Sequence, residues 1–103
     1  MTYVNLTPHA IVLNDGRSFP ASGVLARVSA GYSDIVDDAC SQTFGDVQDL
    51  PAPVVGTRYI VSALVLGALD GTRTDVVAPA TGHPGAVRND KGHIVSVPCF
   101  VIL

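Results

Sequence analysis

The chain has 103 residues, of which 48% are hydrophobic and only 15% are charged, and its formal net charge at pH 7 is −3. This composition excludes a disordered chain, because disordered segments are poor in apolar residues and rich in charge. No basic run or stripe is present, so we expect no nucleic acid as the main partner. The length predicts a single compact domain over residues 1–103.

The first half of the chain has the pattern of short β-strands separated by turns. Asp15-Gly16 predicts a hairpin with a type I′ turn, and Gly45 predicts a bulge within a strand. Residues 31–39 are compatible with either a helical turn or a solvated loop. The strands predicted in this half are Thr2–Leu6, 9–14, 17–19, Val24–Ser29 and Gln42–Leu50.

The second half contains the one segment that predicts a helix. Ala63–Leu69 has apolar residues four positions apart, and Asp70-Gly71 is expected to end the helix. The strand before it, Arg58–Ser62, is rich in β-branched and aromatic residues. The remaining predictions are a strand at Thr74–Ala78, a turn at Asn89–Gly92 and a terminal strand within residues 93–103 that Pro98 interrupts or places at an edge.

These elements together predict a mainly β fold, a small barrel or sandwich with one short helix, and an α+β fold is the alternative. The low charge and the apolar C-terminal strand "VPCFVIL" predict a homo-oligomer, because such a strand is a poor free edge. No secretory signal pattern and no bilayer-spanning apolar run is present, so we expect a cytoplasmic protein with no membrane partner. Cys40 and Cys99 lack CxxC spacing and are predicted to be buried free thiols.

Several short motifs occur in an order typical of one family: "NLTPHAI" at 5–11, "SGVLARV" at 22–28, "YIVSALV" at 59–65, "RTD" at 73–75, Pro79, and "RNDKG" at 88–92. On these motifs the chain resembles a widespread family of small uncharacterised proteins of bacteriophages, prophages and actinobacterial genomes. The resemblance covers nearly the whole length. It implies a phage-related setting in the host cytoplasm, where small proteins often disarm host defence, and it implies no mechanism.

Two constellations contain residue types that can carry chemistry. Ser62, His9 and Asp75 are the types of a hydrolase triad, but no GxSxG motif surrounds the serine, so its hydroxyl is expected to bond backbone. The three histidines His9, His83 and His93 lack the close pairs of a structural zinc site. We therefore predict a non-enzymatic protein without catalytic residues, metal or cofactor.

The segment "ATGHPGAVRNDKG" at 80–92 can be interpreted as a phosphate cradle or as a solvated hairpin. Arg88 lies within it, and Arg73 precedes it by one short strand, so the two guanidinium groups are candidates for one anion site. Arg73 has an alternative partner in Asp75, since the two residues of "RTD" share one face of a strand and can form an ion pair.

A polar stripe opens the chain, because Tyr3, Asn5 and Thr7 share one face of an extended segment and His9 follows after Pro8. The stripe is compatible with a solvated outer face, with hydrogen bonding at a strand end, or with a polar pocket wall that grips a base or sugar.

The leading functional hypothesis is an anti-defence sponge that sequesters a small anionic nucleotide-like signal. Arg73 and Arg88 would hold phosphate, and Tyr59 or Tyr3 would stack on a base. The alternative is a protein–protein interaction module, an inhibitor or assembly factor, whose charge-poor surface is the functional part. The ligand-binding residues predicted for the sponge are Tyr3, Asn5, Thr7, His9, Tyr59, Ser62, Arg73, Asp75 and Arg88.

Overall fold

A computed structural model describes all 103 residues as ten short strands and one helix. The mainly β fold with one short helix is confirmed, no sheet closes into a barrel, and the α+β alternative is consistent with the arrangement. The elements in chain order are β1 (Thr2–Asn5), β2 (Ile11–Val12), β3 (Ser18–Phe19), β4 (Arg27–Tyr32), β5 (Gln42–Gln48), β6 (Thr57–Ile60), α1 (Ala63–Leu69), β7 (Val76–Pro79), β8 (Val87–Arg88), β9 (Ile94–Ser96) and β10 (Phe100–Val101).

The centre of the molecule is a four-stranded sheet in the order β1-β6-β7-β10. Strands β1, β6 and β7 are parallel, and β10 pairs antiparallel with β7 at one edge. Parallel neighbours need a crossover, and the predicted helix α1 provides it between β6 and β7. Strand β6, helix α1 and strand β7 therefore form one βαβ unit, and the remaining strands pack around it.

One face of this sheet packs against α1. Side chains alternate between faces along a strand, so Tyr59 and Val61 point to the helix, where they meet Val65 and Leu66 in the main core cluster. Burying aliphatic side chains of this size contributes about 1.5–3 kcal/mol each. This face holds the fold together, and the site residues are positioned around it.

The other face is covered by the hairpins β2–β3 and β8–β9, which are joined through a bridge between Leu13 and Val97. Ile60 and Val77 are fully buried beneath them. The sheet is strongly curled, because the ring of Tyr3 on one edge strand lies 5.4 Å from the ring of Phe100 on the other edge strand.

Helix α1 has a side-chain cap at its start and a left-handed residue at its end. The Ser62 hydroxyl accepts a hydrogen bond from the Val65 backbone N–H, and Asp70 adopts φ 49° and ψ 46° as the C-cap. These two devices explain why the helix begins and ends where the sequence predicts.

Replacing Ser62 with alanine is expected to lower the free energy of unfolding by about 1 kcal/mol, because one of the orphan N–H groups of α1 loses its acceptor. Urea denaturation measures this difference. Ser18→Ala on β3 is the matched control, because the Ser18 hydroxyl makes no hydrogen bond within the protein. This substitution should change the free energy of unfolding very little. Equal effects of the two substitutions would contradict the capping role.

Two turns of the structure differ from those that the sequence predicts. Gly16 has a positive φ of 93° but Asp15 does not, so the β2–β3 connection is a three-residue loop ending in a left-handed glycine, and the predicted type I′ turn is wrong. Asp37 and Asp38 both have positive φ, 50° and 62°, and Val36 exchanges two backbone hydrogen bonds with Ala39 across them. Residues 31–39 are therefore the tip of a hairpin, and the helical-turn interpretation is wrong.

Strands β4 and β5 form a separate hairpin, and we name residues 27–48 the arm. The predicted strand 24–29 begins later, at Arg27, and continues to Tyr32. The predicted bulge at Gly45 is confirmed, because the pairing moves from Val47 to Phe44 on β5 while it advances two residues on β4. The base of the arm packs on the core through Val28 and Val47.

The molecule as a whole is flat and extended. Its principal extents are 46 × 38 × 23 Å and its radius of gyration is 15.0 Å, whereas a compact chain of this length has a radius of about 13 Å. Only 14 of the 103 residues are buried. The structure contains no helix with the length and hydrophobicity needed to cross a bilayer.

Candidate functional site

The N-terminal polar stripe is an internal hydrogen-bond network. The Asn5 side chain is 2% exposed; its amide N–H groups donate to the carbonyls of His9 and Phe19, and its Oδ1 accepts from the Thr7 N–H and hydroxyl. An asparagine amide has two donors and one oxygen that can accept two bonds, so all its capacity is used. The solvated face predicted for Asn5 and Thr7 is wrong, and hydrogen bonding at a strand end is the correct alternative.

The aromatic residues predicted to stack on a base have other surroundings. Tyr59 is buried in the main core, where its hydroxyl donates to the Ala52 carbonyl over 3.2 Å, so its ring presents no face to a ligand. Tyr3 is half-buried in an aromatic cluster with Phe19 and Phe100. Of the two predicted stacking residues, Tyr3 alone has access to a cavity.

Arg73 and Asp75 form the ion pair that the sequence offered as the alternative to an anion site. The guanidinium Nε and Nη2 donate to the two carboxylate oxygens at 2.8 Å each, and Nη2 also donates to the Pro51 carbonyl. The side chains are only 20% and 17% exposed. These hydrogen bonds from Arg73 hold the pKa of the Asp75 carboxyl below its ordinary value.

Arg88 lies elsewhere and is not near this pair. Its Nη1 donates to the Gly92 carbonyl and its Nη2 to the Thr81 carbonyl, so the side chain braces the β8–β9 turn. Strand β7 separates Thr81 from Asp75, and at about 3.3 Å per residue the two positions are roughly 20 Å apart. The structure therefore does not bring Arg73 and Arg88 into one phosphate site.

The residues of the hydrolase triad also stand apart. Ser62 caps α1 beyond the end of β6, Asp75 is held by Arg73 before the start of β7, and His9 is exposed after β1. The pairing of β6 with β7 places Asp75 beside Tyr59, three residues before Ser62 along β6. No group of three or more His, Cys, Asp or Glu side chains has a geometry that could hold a metal ion.

Both cysteines are free thiols in the structure. Cys40 and Cys99 are nevertheless exposed, so the prediction of buried thiols is wrong. Cys40 follows the tip of the arm, and Cys99 precedes β10, where little of the small core is available to cover either thiol.

The outer half of the arm is the feature that the sequence interpretation missed. Four large apolar side chains project from it into solvent, with exposed fractions of 69% for Tyr32, 77% for Ile35, 67% for Val36 and 41% for Phe44. The sequence contains a sign of this surface, because "DIVDD" places two β-branched residues directly before an Asp-Asp pair. If the turn is assigned to Asp37-Asp38, the residues on either side of it are predicted to be the two strands of a hairpin.

Charge is concentrated at the same tip. Residues 32–44 contain three aspartates and no lysine or arginine, so the tip carries a formal charge of −3, and the basic residue of the arm, Arg27, lies at its base in an ion pair with Asp49. The aspartates of the tip are Asp34, Asp37 and Asp38. The tip of the arm is thus both apolar and acidic.

No protein-family model, curated protein or solved structure matches this chain. The resemblance to a phage-borne family, and the defence-related role that it implies, stay predictions from the sequence.

Proposed function

We propose that this chain is a non-enzymatic protein–protein interaction module that assembles with further copies of itself through the arm. The observation that carries the proposal is the set of four large apolar side chains exposed on the outer half of the arm, represented by Ile35 at 77% exposure. Large apolar side chains exposed together on one element of a small protein are typical of an interaction surface.

The arm also offers backbone groups to a partner. Strands β4 and β5 pair only with each other, so each has one edge whose N–H and C=O groups have no strand beside them. Such an edge accepts a strand from another chain by β-augmentation, and the apolar side chains then add specificity. This geometry supports docking by a β-hairpin or an extended segment.

Charge complementarity favours a second copy, bound head to tail, as the occupant. Two acidic tips repel each other, which disfavours a face-to-face pairing of arms. The β8–β9 hairpin has the opposite sign, a net formal charge of +1 from Arg88 and Lys91 against Asp90, and the apolar side chains of Val87 and Val95 are half exposed there. The tip of one copy and the β8–β9 hairpin of the next are therefore matched in both charge and apolar surface, which is a heterologous contact.

The sponge hypothesis has less support than this module. It placed Arg73 and Arg88 on the same phosphate and Tyr59 or Tyr3 on the base, whereas the two arginines are separated by β7 and Tyr59 is buried, which leaves only Tyr3 for stacking. The interaction module, by contrast, is supported by the large apolar side chains that the arm exposes.

Substituting Ile35 with lysine tests the proposal. Losing one buried aliphatic side chain at an interface costs about 1.5–3 kcal/mol, so we expect self-association to weaken at least tenfold in sedimentation equilibrium. Val55→Lys is the control, because Val55 is fully exposed and lies outside the arm, and it should change the association constant less than twofold. Equal effects of both substitutions, or a wild-type protein that remains a 10.6 kDa monomer, would contradict the proposal.

A further inference from the structure

A small cavity of about 230 Å³ lies on the hairpin-covered face of the sheet, on the opposite side from α1. It lies outside the arm. Its walls combine two guanidinium groups, Arg17 and Arg58, with the aromatic rings of Tyr3 and Phe100 and with the apolar side chain of Leu13. None of these arginines belongs to the anion site that the sequence predicts.

Arg58 is the one half-buried cation that no carboxylate compensates, since the other two unpaired cations, Arg88 and Lys91, are exposed. The three ion pairs of the molecule use Arg17, Arg27 and Arg73, and Arg88 donates to backbone carbonyls. The contact of Arg58 is a 3.5 Å approach of Nη1 to the Tyr3 hydroxyl, which is at the long limit of a hydrogen bond. Its side chain is nevertheless half-buried. A partly desolvated guanidinium with unused donors is a binding group for an anion.

The strand pairing explains why Arg58 is held there. In the parallel register of β1 and β6, Arg58 lies directly beside Tyr3, and both point to the face opposite α1. The β2–β3 hairpin then brings Arg17 to the rim, where Nε donates to the Asp15 carboxylate and the terminal nitrogens are not used by any hydrogen bond. Two guanidinium groups and one carboxylate leave a local charge of +1.

The remaining wall suits a flat apolar group. The rings of Tyr3 and Phe100 are stacked with an interplanar angle of 29°, and the ring of Phe19 meets both at an edge. A volume of 230 Å³ corresponds to roughly eight water molecules, which suits a single-ring acid and is small for a dinucleotide.

We propose that this cavity is a binding site for a small carboxylate or phosphate anion that carries a flat apolar group, with Arg58 as the principal anion-binding residue. The anion is held by Arg58 with help from Arg17, and the apolar group lies against Tyr3 and Phe100. The site contains no residue of the arm.

Titration of the purified protein with benzoate and with phenyl phosphate, followed by NMR chemical shifts, tests the site. We expect either probe to bind at least tenfold more tightly than acetate, which lacks the ring, and than benzyl alcohol, which lacks the charge. The tighter of the two probes shows whether the anion is a carboxylate or a phosphate. Equal affinity for benzyl alcohol, or no saturable shift up to 10 mM of either acid, would overturn the proposal.

Arg58→Gln separates binding from folding. We expect at least a tenfold loss of affinity for the tighter probe without loss of thermal stability, since the arginine makes no ion pair that folding requires. Arg27→Gln is the matched control, because that arginine is exposed on the base of the arm, and it should leave probe affinity unchanged. If Arg58→Gln does not fold, Arg17→Gln and Phe100→Leu are expected to weaken the same probe. Unchanged affinity in the folded variants would overturn the proposal.

Discussion

Replacing Asn5 with alanine is expected to lower the free energy of unfolding by about 3 kcal/mol. The substitution leaves the buried Thr7 N–H without an acceptor, which costs about 1–3 kcal/mol, and it removes the amide donors of the His9 and Phe19 carbonyls. A domain of this size has a total stability of about 5–15 kcal/mol, so the loss is a large fraction of it. Thermal denaturation should show a fall in Tm of about 15 °C.

Asn14→Ala is the control for this prediction. Asn14 also makes two side-chain hydrogen bonds, with the Gly85 carbonyl and the Ser96 hydroxyl, but both are exposed, so water replaces them when the amide is removed. We expect a loss below about 1 kcal/mol. If Asn5→Ala also lowered the free energy of unfolding by less than about 1 kcal/mol, the hydrogen bonds of Asn5 would not be what holds β1 to the β2–β3 hairpin.

Replacing Asp75 with alanine is expected to cost about 2 kcal/mol, because a bidentate and largely buried partner of Arg73 is removed. Asp49→Ala removes the partner of Arg27 in an ion pair whose side chains are 67% and 53% exposed, and it should cost well under 1 kcal/mol. Urea denaturation of the two variants measures the difference. Equal costs would contradict the structural role of the Arg73–Asp75 pair.

The pH dependence of the Asp75 contribution has a definite sign. The pKa of the folded carboxyl lies below its ordinary value of 3.8, mainly because of the hydrogen bonds from Arg73. The group therefore stabilises the folded state fully above about pH 5, and this contribution is lost as pH falls through the folded pKa. The free-energy difference between wild type and Asp75→Ala should shrink in this acid range, and a difference that grows there would contradict the assignment.

Local features of the sequence predict several elements well. The helix at Ala63–Leu69, its end at Asp70, the bulge at Gly45 and the turn at Asn89–Gly92 follow from caps, glycine and apolar spacing within a few residues. The ion-pair interpretation of "RTD" is also local, since the two residues are two positions apart on one strand face.

Features that depend on distant pairing could not be predicted. The register that places Tyr3 beside Arg58 joins strands 55 residues apart in parallel, and no local pattern specifies it. The same pairing, together with the β2–β3 hairpin, buries Asn5 and turns an apparent polar stripe into an internal network. Arg73 and Arg88 are likewise far apart because β7 lies between them. Their closeness in the sequence gives no sign of this distance.

Zero-length carbodiimide cross-linking of mixed isotope-labelled and unlabelled protein tests the proposed assembly most directly. The chain has a single lysine, Lys91, on the β8–β9 hairpin, so each lysine cross-link reports one position. The head-to-tail contact predicts cross-links between Lys91 of one copy and the tip aspartates Asp34, Asp37 or Asp38 of another, identified by mass spectrometry as labelled peptides joined to unlabelled ones. Lysine cross-links formed only within one copy, or between copies only to aspartates outside the arm such as Asp70, would contradict assembly through the arm.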